Sequence, residues 1–207
     1  MFKIISEKTA LNQIKFMKKH STKMRLAGEK WKNNWQILIS IILSARTRDE
    51  TTIIVAKKLF RKHPSAKKLS NVKIKEVEKT IKSVNFYRNK SRNIINCSKE
   101  IIKNYKGKVP DKIDDLIKLP GVGRKTANVF LSEIGKYGMG VDSHVSYISQ
   151  KLGWTKNENS DKIEEDLKKL FSKNNWNKVN SALVRFGKTH TSRKEKDKLL
   201  EEIKKIK

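Results

Sequence analysis

A short segment near the middle of the chain combines a tight turn with groups that attract anions. It reads LPGVGRKTA over residues 119–127, and the helical spacing of apolar residues on either side predicts helices at about 111–118 and 124–135. Gly121 and Gly123 permit a sharp turn and a close approach of the backbone to a ligand. Because free N–H groups at a helix N-terminus bind phosphate, the segment predicts a phosphate-binding hairpin. An ordinary turn between two helices is the alternative.

The charge balance supports a polyanionic partner for this hairpin. The chain has 49 Lys and Arg residues against 21 Asp and Glu residues, a formal net charge of +28 over 207 residues. Such an excess favours nucleic acid first and an anionic membrane second. Forty of the basic residues are Lys, so part of the excess is also explained by a general compositional bias toward lysine. Together the charge and the hairpin indicate the DNA backbone as the ligand.

The elements that must position this hairpin are helical. Apolar residues recur at helical spacing along almost the whole chain, and no two-residue alternation typical of a strand is found. Only 9 Gly and 3 Pro interrupt the pattern. The sequence therefore predicts an all-α fold. Residues 172–180 and 187–198 are the most loop-like and charged stretches.

The single cysteine and the distribution of apolar residues limit the cofactor and the compartment. Cys97 has no second cysteine to pair with, and one thiol cannot hold a four-cysteine [4Fe–4S] cluster. Charges interrupt the N-terminus before a signal-like apolar region forms. The longest apolar stretch, residues 37–43, is far too short to span a bilayer. We expect an intracellular protein, in the cytoplasm or at the nucleoid (the nucleus if eukaryotic), with no membrane partner.

The hairpin and four further segments together resemble one family. LSARTRD at 43–49, VNFYRNK at 84–90, GKVP at 107–110 and VDSHV at 141–145 occur in the same order as similar segments of the endonuclease III family of helix-hairpin-helix DNA glycosylases/AP lyases. The resemblance extends from about residue 10 to residue 190. It implies two helical lobes with DNA in the cleft between them: a six-helix lobe of residues 24–132 that contains the hairpin, and a second lobe of residues 1–23 and 133–207. It also implies a monomer that binds damaged double-stranded DNA.

Two residues match the catalytic positions of the family. Lys125 stands where the bifunctional members carry their nucleophile, and Asp142 matches the essential aspartate. The resemblance therefore implies removal of oxidised pyrimidines through a Lys Schiff base, followed by β-elimination at the abasic site. From the residues alone, Asp142 is also a candidate N-cap for a helix at 143–152, and both roles can hold together.

The same resemblance suggests which residues touch DNA. Arg46 stands at the family's polar plug position, usually Gln, and Phe86 at its apolar wedge position, with a core aromatic as the alternative for Phe86. Asn85 replaces the Gly that normally precedes the wedge. The remaining candidates are phosphate contacts and hairpin residues: Arg48, Arg88, Lys90, Gly121, Val122, Gly123, Arg124 and Thr126.

The C-terminal region departs from the family pattern. Thr191 stands where many members have the first cysteine of a [4Fe–4S] cluster, and no Cys follows it. We therefore expect no cluster, with packing by a last helix at about 193–206 in its place. Hairpin carbonyls in the family can hold a monovalent cation, which makes Leu119 and Val122 candidate ligands; no other metal site is expected.

Two other functions remain open from the sequence. A mismatch uracil/thymine glycosylase or an 8-oxoguanine glycosylase could use the same scaffold. A DNA-binding protein that has lost catalysis is the alternative from another class. The presence of both Lys125 and Asp142 argues against that loss.

Overall fold

The fold was obtained as a computed structural model that describes residues 5–207. Within that range the protein contains twelve α-helices, one short 3-10 helix at Lys173–Asn175 and no β-strand, which confirms the all-α prediction. No helix in the same range is both long and apolar enough to cross a membrane. The helices are α1 (Glu7–Lys19), α2 (Asn34–Ser44), α3 (Asp49–Lys62), α4 (Ala66–Ser70), α5 (Ile74–Ile81), α6 (Tyr87–Tyr105), α7 (Ile113–Leu116), α8 (Arg124–Glu133), α9 (Ser143–Lys151), α10 (Ser160–Leu170), α11 (Trp176–Thr189) and α12 (Arg193–Lys204).

These helices form two compact units, each with its own apolar core. One unit is the unbroken stretch Arg25–Lys136, which contains α2 to α8. The other contains α1 together with Tyr137–Lys207, and so α9 to α12. The segment identified from sequence as a hairpin belongs to the first unit, whereas Asp142 belongs to the second.

The first unit is built around α2. This helix reads NWQILISIILS and is buried along most of its length, as expected for a helix that is apolar on all sides. It begins where the Asn33 side chain accepts a hydrogen bond from the Gln36 amide at 3.0 Å, a typical N-cap. Helices α3, α6 and α8 pack on it. The buried indole of Trp35 donates to Ser98 Oγ at 3.0 Å and links α2 to α6.

The second unit is organised around α11. Helices α1 and α9 pack against it, and α12 packs against both α1 and α9. Leu200 and Ile203 of α12 are buried in this core. The indole of Trp154 donates to Gln13 Oε1 at 2.8 Å in the interior, which fixes α1 to the loop after α9. The last helix thus completes the apolar core of this unit.

The stretches that looked loop-like in the sequence are largely helical. Helix α11 begins at Trp176, inside the range 172–180, and most of 187–198 lies in the end of α11 and the first half of α12. The reason is that polar residues of α11 are buried and hydrogen-bonded, Asn180 among them. A high share of polar residues is therefore compatible with a helix in this part of the chain.

Candidate functional site

The segment at 119–127 is a tight turn between two helices. After α7, the Val122 amide donates to the Leu119 carbonyl at 3.0 Å, which closes a four-residue turn. Pro120 fixes the second position, and Gly121 has φ +80° at the third, as a type II turn requires. Helix α8 then starts directly after Gly123. The predicted hairpin between two helices is therefore present.

The two glycines of the hairpin have different roles. A Cβ on Gly121 would lie 2.8 Å from Asn93 Cβ, so the turn packs tightly on α6. Gly123 has extended backbone (φ −89°, ψ 175°), and a Cβ there would meet nothing within 4 Å. The protein itself therefore does not need glycine at position 123. Its missing side chain keeps the N-terminus of α8 open to a ligand.

The first turn of α8 offers donors and an amine at this open end. No side chain caps the helix, and the amides of Lys125 and Thr126 have no acceptor within residues 5–207. Arg124 and Lys125 are exposed, and Thr126 is half-buried. The Val122 side chain is buried, so that residue can meet DNA only through its backbone. Free amides, the positive end of the helix dipole and basic side chains here suit a phosphate backbone.

The two candidate cation ligands are carbonyls of the same turn. Leu119 O already accepts the Val122 amide but retains a second lone pair, and Val122 O accepts no hydrogen bond within residues 5–207. Both oxygens therefore fit a weakly bound monovalent cation, which stays a prediction. Across the described chain, no group of three or more His, Cys, Asp or Glu side chains is arranged to hold a metal.

Asp142 is the N-cap of α9, as one of its two predicted roles requires. Its Oδ1 accepts hydrogen bonds from the His144 and Val145 amides, both at 2.9 Å. Its other oxygen, Oδ2, accepts no hydrogen bond from residues 5–207. The side chain is half-buried. One carboxylate oxygen thus fixes the side chain while the other remains available for chemistry.

Helix α11 holds the segment that leads into Asp142. Asn177 Oδ1 accepts from the Gly138 amide at 3.1 Å, and the buried Asn180 side chain donates to the Gly140 carbonyl. These asparagines were not identified from the sequence. Their position on a helical face next to Val179 and Leu183, which are buried, was the available signal. Their contacts fix the backbone directly before Asp142.

Arg46 and Phe86 form a neighbouring pair in the Arg25–Lys136 unit. The Phe86 side chain is 59% exposed, so the structure places it at the surface and not in the core. Both residues have left-handed backbone, with φ of 54° and 57°, which is rare for residues with side chains. The Arg46 guanidinium lies 5.9 Å from the centre of the Phe86 ring. The predicted plug and wedge residues are therefore brought together.

Two other predicted phosphate contacts lie beside this pair. Arg48 is exposed and occupies the N-cap position of α3, so Asp49 is the first residue of that helix and not its cap. Arg88 is exposed on the first turn of α6, with its guanidinium 5.6 Å from the Tyr87 ring centre. Both side chains are free to meet solvent and an anion.

Lys90 does not lie where a phosphate contact would. Its side chain is 5% exposed, and its ammonium donates to Leu43 O at 2.7 Å, Ala45 O at 2.6 Å and Thr47 Oγ1 at 3.0 Å. All three N–H donors are therefore used inside the protein. Burial lowers the pKa of Lys90 to about 8. The predicted phosphate contact is replaced by an internal contact to the loop that carries Arg46.

The available donors do not fit an iron–sulfur cluster. Cys97 is the only cysteine, and it is buried in α6, where burial raises its thiol pKa to about 12. The Thr191 side chain offers a hydroxyl and not a thiolate. Helix α12 follows directly, and its Asp197 carboxylate accepts a hydrogen bond from Tyr147 of α9.

Comparison with known proteins agrees with this geometry. Residues 39–173 match the family described as HhH-GPD superfamily base excision DNA repair protein. The endonuclease III of Thermotoga maritima is 41% identical over 155 residues, which cover 74% of this chain and 73% of the relative. That of Bacillus subtilis is 38% identical over 160 residues, covering 76% and 73%.

A solved structure shares the fold as well. The structure of a trapped covalent intermediate of endonuclease III and DNA, an estranged-adenine complex, is 33% identical with a TM-score of 0.83, covering 91% of this chain and 89% of that one. The family model, the sequence relatives and the shared fold all indicate the same family. The chain belongs to the HhH-GPD superfamily of base excision DNA repair proteins and, within it, to the endonuclease III family.

Proposed function

We propose that this DNA glycosylase is bifunctional: it removes oxidised pyrimidines from duplex DNA and then cleaves the abasic strand. The observation that carries this proposal is the exposed Lys125 amine on the first turn of α8, directly beside open backbone amides. Amides that bind the DNA backbone would place a phosphate, and hence the adjoining sugar, near this amine. The relative trapped as a covalent intermediate with DNA supports covalent chemistry in this family.

The proposed reaction proceeds through a Schiff base. The Lys125 Nζ lone pair attacks C1′ of the damaged nucleotide, and the base leaves with the electrons of the glycosidic bond and takes up a proton. Opening of the sugar ring gives an iminium between C1′ and Nζ. The iminium acidifies C2′, so loss of a C2′ proton expels the 3′ phosphate by β-elimination. The nucleotide must first leave the base stack to be reached.

Asp142 is proposed as the carboxylate of the same reaction. An ionised carboxylate stabilises positive charge that develops on the sugar as the base leaves, and it can accept a proton. The N-cap hydrogen bonds occupy only Oδ1, so Oδ2 is available for this task. The cap and the chemistry therefore do not compete for the same atom.

Damaged double-stranded DNA is the proposed substrate, and the protein is proposed to act inside the cell as a monomer. Oxidised pyrimidines are chosen over mismatched or oxidised purine bases because the relatives at 38–41% identity are endonucleases III. The adjacent Arg46 and Phe86 suit a duplex, since a plug and a wedge are needed where a nucleotide leaves its partner.

Borohydride trapping tests the proposal. Duplexes that carry thymine glycol, uracil opposite guanine, 8-oxoguanine or an abasic site are incubated with the protein and reduced. Hydride converts an iminium into a stable amine, so a covalent adduct reports the Schiff base. We expect an adduct with thymine glycol and with the abasic site, and none with Lys125→Gln, which should still bind DNA.

Lys99→Gln is the matched control, because it removes the same charge from an exposed position on α6. It should trap like the wild type. Best trapping with uracil or 8-oxoguanine would change the assigned lesion. Tight binding without an adduct on any duplex would overturn the catalytic assignment and favour a DNA-binding protein.

A further inference from the structure

Two unusual backbone conformations meet beside Lys90. Arg46 and Phe86 both have positive φ, although neither is glycine. Such a conformation is unfavourable for a residue with a Cβ, so it persists only where surrounding contacts hold it. Arg46 lies in the loop between α2 and α3, and Phe86 lies just before α6. Contacts from neighbouring residues must therefore hold both segments in these conformations.

The two segments are joined by hydrogen bonds that converge on one hydroxyl. Thr47 Oγ1 accepts from the Asn85 amide at 3.1 Å and from Lys90 Nζ at 3.0 Å. The Asn85 side chain also donates to the Arg46 carbonyl. Each left-handed residue thus has an immediate neighbour in this network: Thr47 follows Arg46, and Asn85 precedes Phe86.

The buried ammonium of Lys90 anchors the network to α2. Besides Thr47, it donates to the carbonyls of Leu43 and Ala45 at 2.7 and 2.6 Å. These carbonyls lie at the C-terminal end of α2, where helix carbonyls lack intrahelical partners and a cation is favoured. One side chain therefore joins the end of α2, the loop that carries Arg46 and, through Thr47, the residue before Phe86.

We propose that Lys90 is a positioning residue, which holds Arg46 and Phe86 side by side at the surface before DNA arrives. The proposal rests on the proposed function, in which these two side chains occupy the space left by the displaced nucleotide. Lys90 itself is too buried to touch the substrate. A preformed pair spares the ordering of two segments during binding, which would otherwise weaken the complex.

A simpler role is that Lys90 only terminates α2. That role requires the contacts to Leu43 and Ala45 but not the contact to Thr47. The experiment therefore includes variants of Thr47, which leave both α2 contacts of Lys90 in place. Thr47→Val removes the shared hydroxyl and keeps the shape, whereas Thr47→Ser keeps the hydroxyl.

The first readout needs neither DNA nor activity. Amide hydrogen exchange of Asn85 is measured in the free protein for Thr47→Val, Thr47→Ser, Lys90→Met and Lys99→Met. Loss of one or two hydrogen bonds should speed exchange about tenfold in Thr47→Val and Lys90→Met. Thr47→Ser and the exposed-lysine control Lys99→Met should exchange like the wild type. Unchanged exchange in Thr47→Val would overturn the proposal, even if Lys90→Met does not fold.

The second readout compares two abasic substrates. The network should matter only where a partner strand is present, so we expect about tenfold slower cleavage of the duplex by Thr47→Val and Lys90→Met. Cleavage of a single-stranded abasic oligonucleotide should change less than about twofold. Equal losses on both substrates would overturn the positioning role. Absence of cleavage by the wild type would contradict the proposed function instead, and the exchange measurement would still decide the role of Lys90.

Discussion

The His144 side chain of α9 packs directly against the backbone of Gly187 in α11. A Cβ at Gly187 would lie 2.6 Å from His144 Cβ, closer than two such atoms can approach. His144 follows Asp142 by two residues, and its amide donates to Asp142 Oδ1. The close approach of the two helices therefore fixes the start of α9, which carries the candidate catalytic carboxylate.

Gly187→Ala should destabilise the protein by about 1–3 kcal/mol, because an overpacked interface must shift. Alanine favours a helix over glycine by roughly 1 kcal/mol, so a net loss shows that the steric clash dominates. Urea unfolding measures the change. Lys178→Ala, an exposed change on the same helix, should stay within about 0.5 kcal/mol of the wild type. A stabilised Gly187→Ala variant would show that α9 and α11 separate easily.

The two roles of Asp142 can be separated by a pair of substitutions. Asparagine keeps an oxygen for the His144 and Val145 amides, so Asp142→Asn should retain stability. Asp142→Ala should lose about 1 kcal/mol with the cap. Both variants should cleave abasic DNA about 100-fold more slowly or worse, because both lack the carboxylate. Unfolding and single-turnover cleavage provide the two measurements. Near-normal cleavage by Asp142→Asn would restrict Asp142 to the capping role.

Arg46 should make the enzyme sensitive to the base opposite the lesion. Arginine has only donors, and guanine presents two acceptors, O6 and N7, whereas adenine has a donor beside its N7. We expect faster single-turnover cleavage opposite guanine than opposite adenine. Arg46→Gln should reduce that ratio about tenfold, since glutamine both donates and accepts. Arg88→Gln is the matched control and should leave the ratio unchanged. A ratio that Arg46→Gln does not alter would remove Arg46 from contact with the opposite base.

The buried Lys90 should produce a measurable pH dependence of stability. Its pKa falls from 10.5 in the unfolded chain to about 8 in the native protein because of burial. Between these values the unfolded chain binds more protons, so the unfolding free energy rises with pH over that window. Below about pH 8 Lys90 is charged in the native protein as well, so the full free-energy cost of burying its charge reduces the stability there. The unfolding free energy of the wild type minus that of Lys90→Met should increase from about pH 8 to 10.5. A difference independent of pH would show that Lys90 remains charged throughout.

The sequence predicted the helices and the hairpin well because each is determined locally. The apolar spacing identified α2 and α6, and Pro120 and Gly121 specify the turn before α8. Residue types alone gave a wrong prediction where contacts between distant parts of the chain determine whether a side chain is buried. Lys90 was interpreted as a surface cation, yet it lies four residues before the buried Ile94 on the same face of α6. That spacing was a signal, but the acceptors of the ammonium lie at the end of α2 and in the loop after it, more than 40 residues earlier in the chain.

The same distinction applies to the surroundings of Asp142. Its cap was predictable, because aspartate before an amphipathic helix is a common N-cap. The support from Asn177 and Asn180 was not, because both asparagines act on backbone groups about 40 residues away. Nothing in the sequence around the two asparagines indicates which distant backbone group each one contacts.

The order of the units along the chain has a consequence for biosynthesis. The core of Arg25–Lys136 comes from one continuous stretch, so it can fold as it leaves the ribosome. Helix α1 is made earlier, yet its partners are α11 and α12, synthesised more than 150 residues later. Until then Ile14 and Met17 have no core to enter. The unit that carries Asp142 is therefore completed last, and in a nascent chain whose Arg25–Lys136 unit has already folded, Asp142 is not yet held by a folded unit of its own.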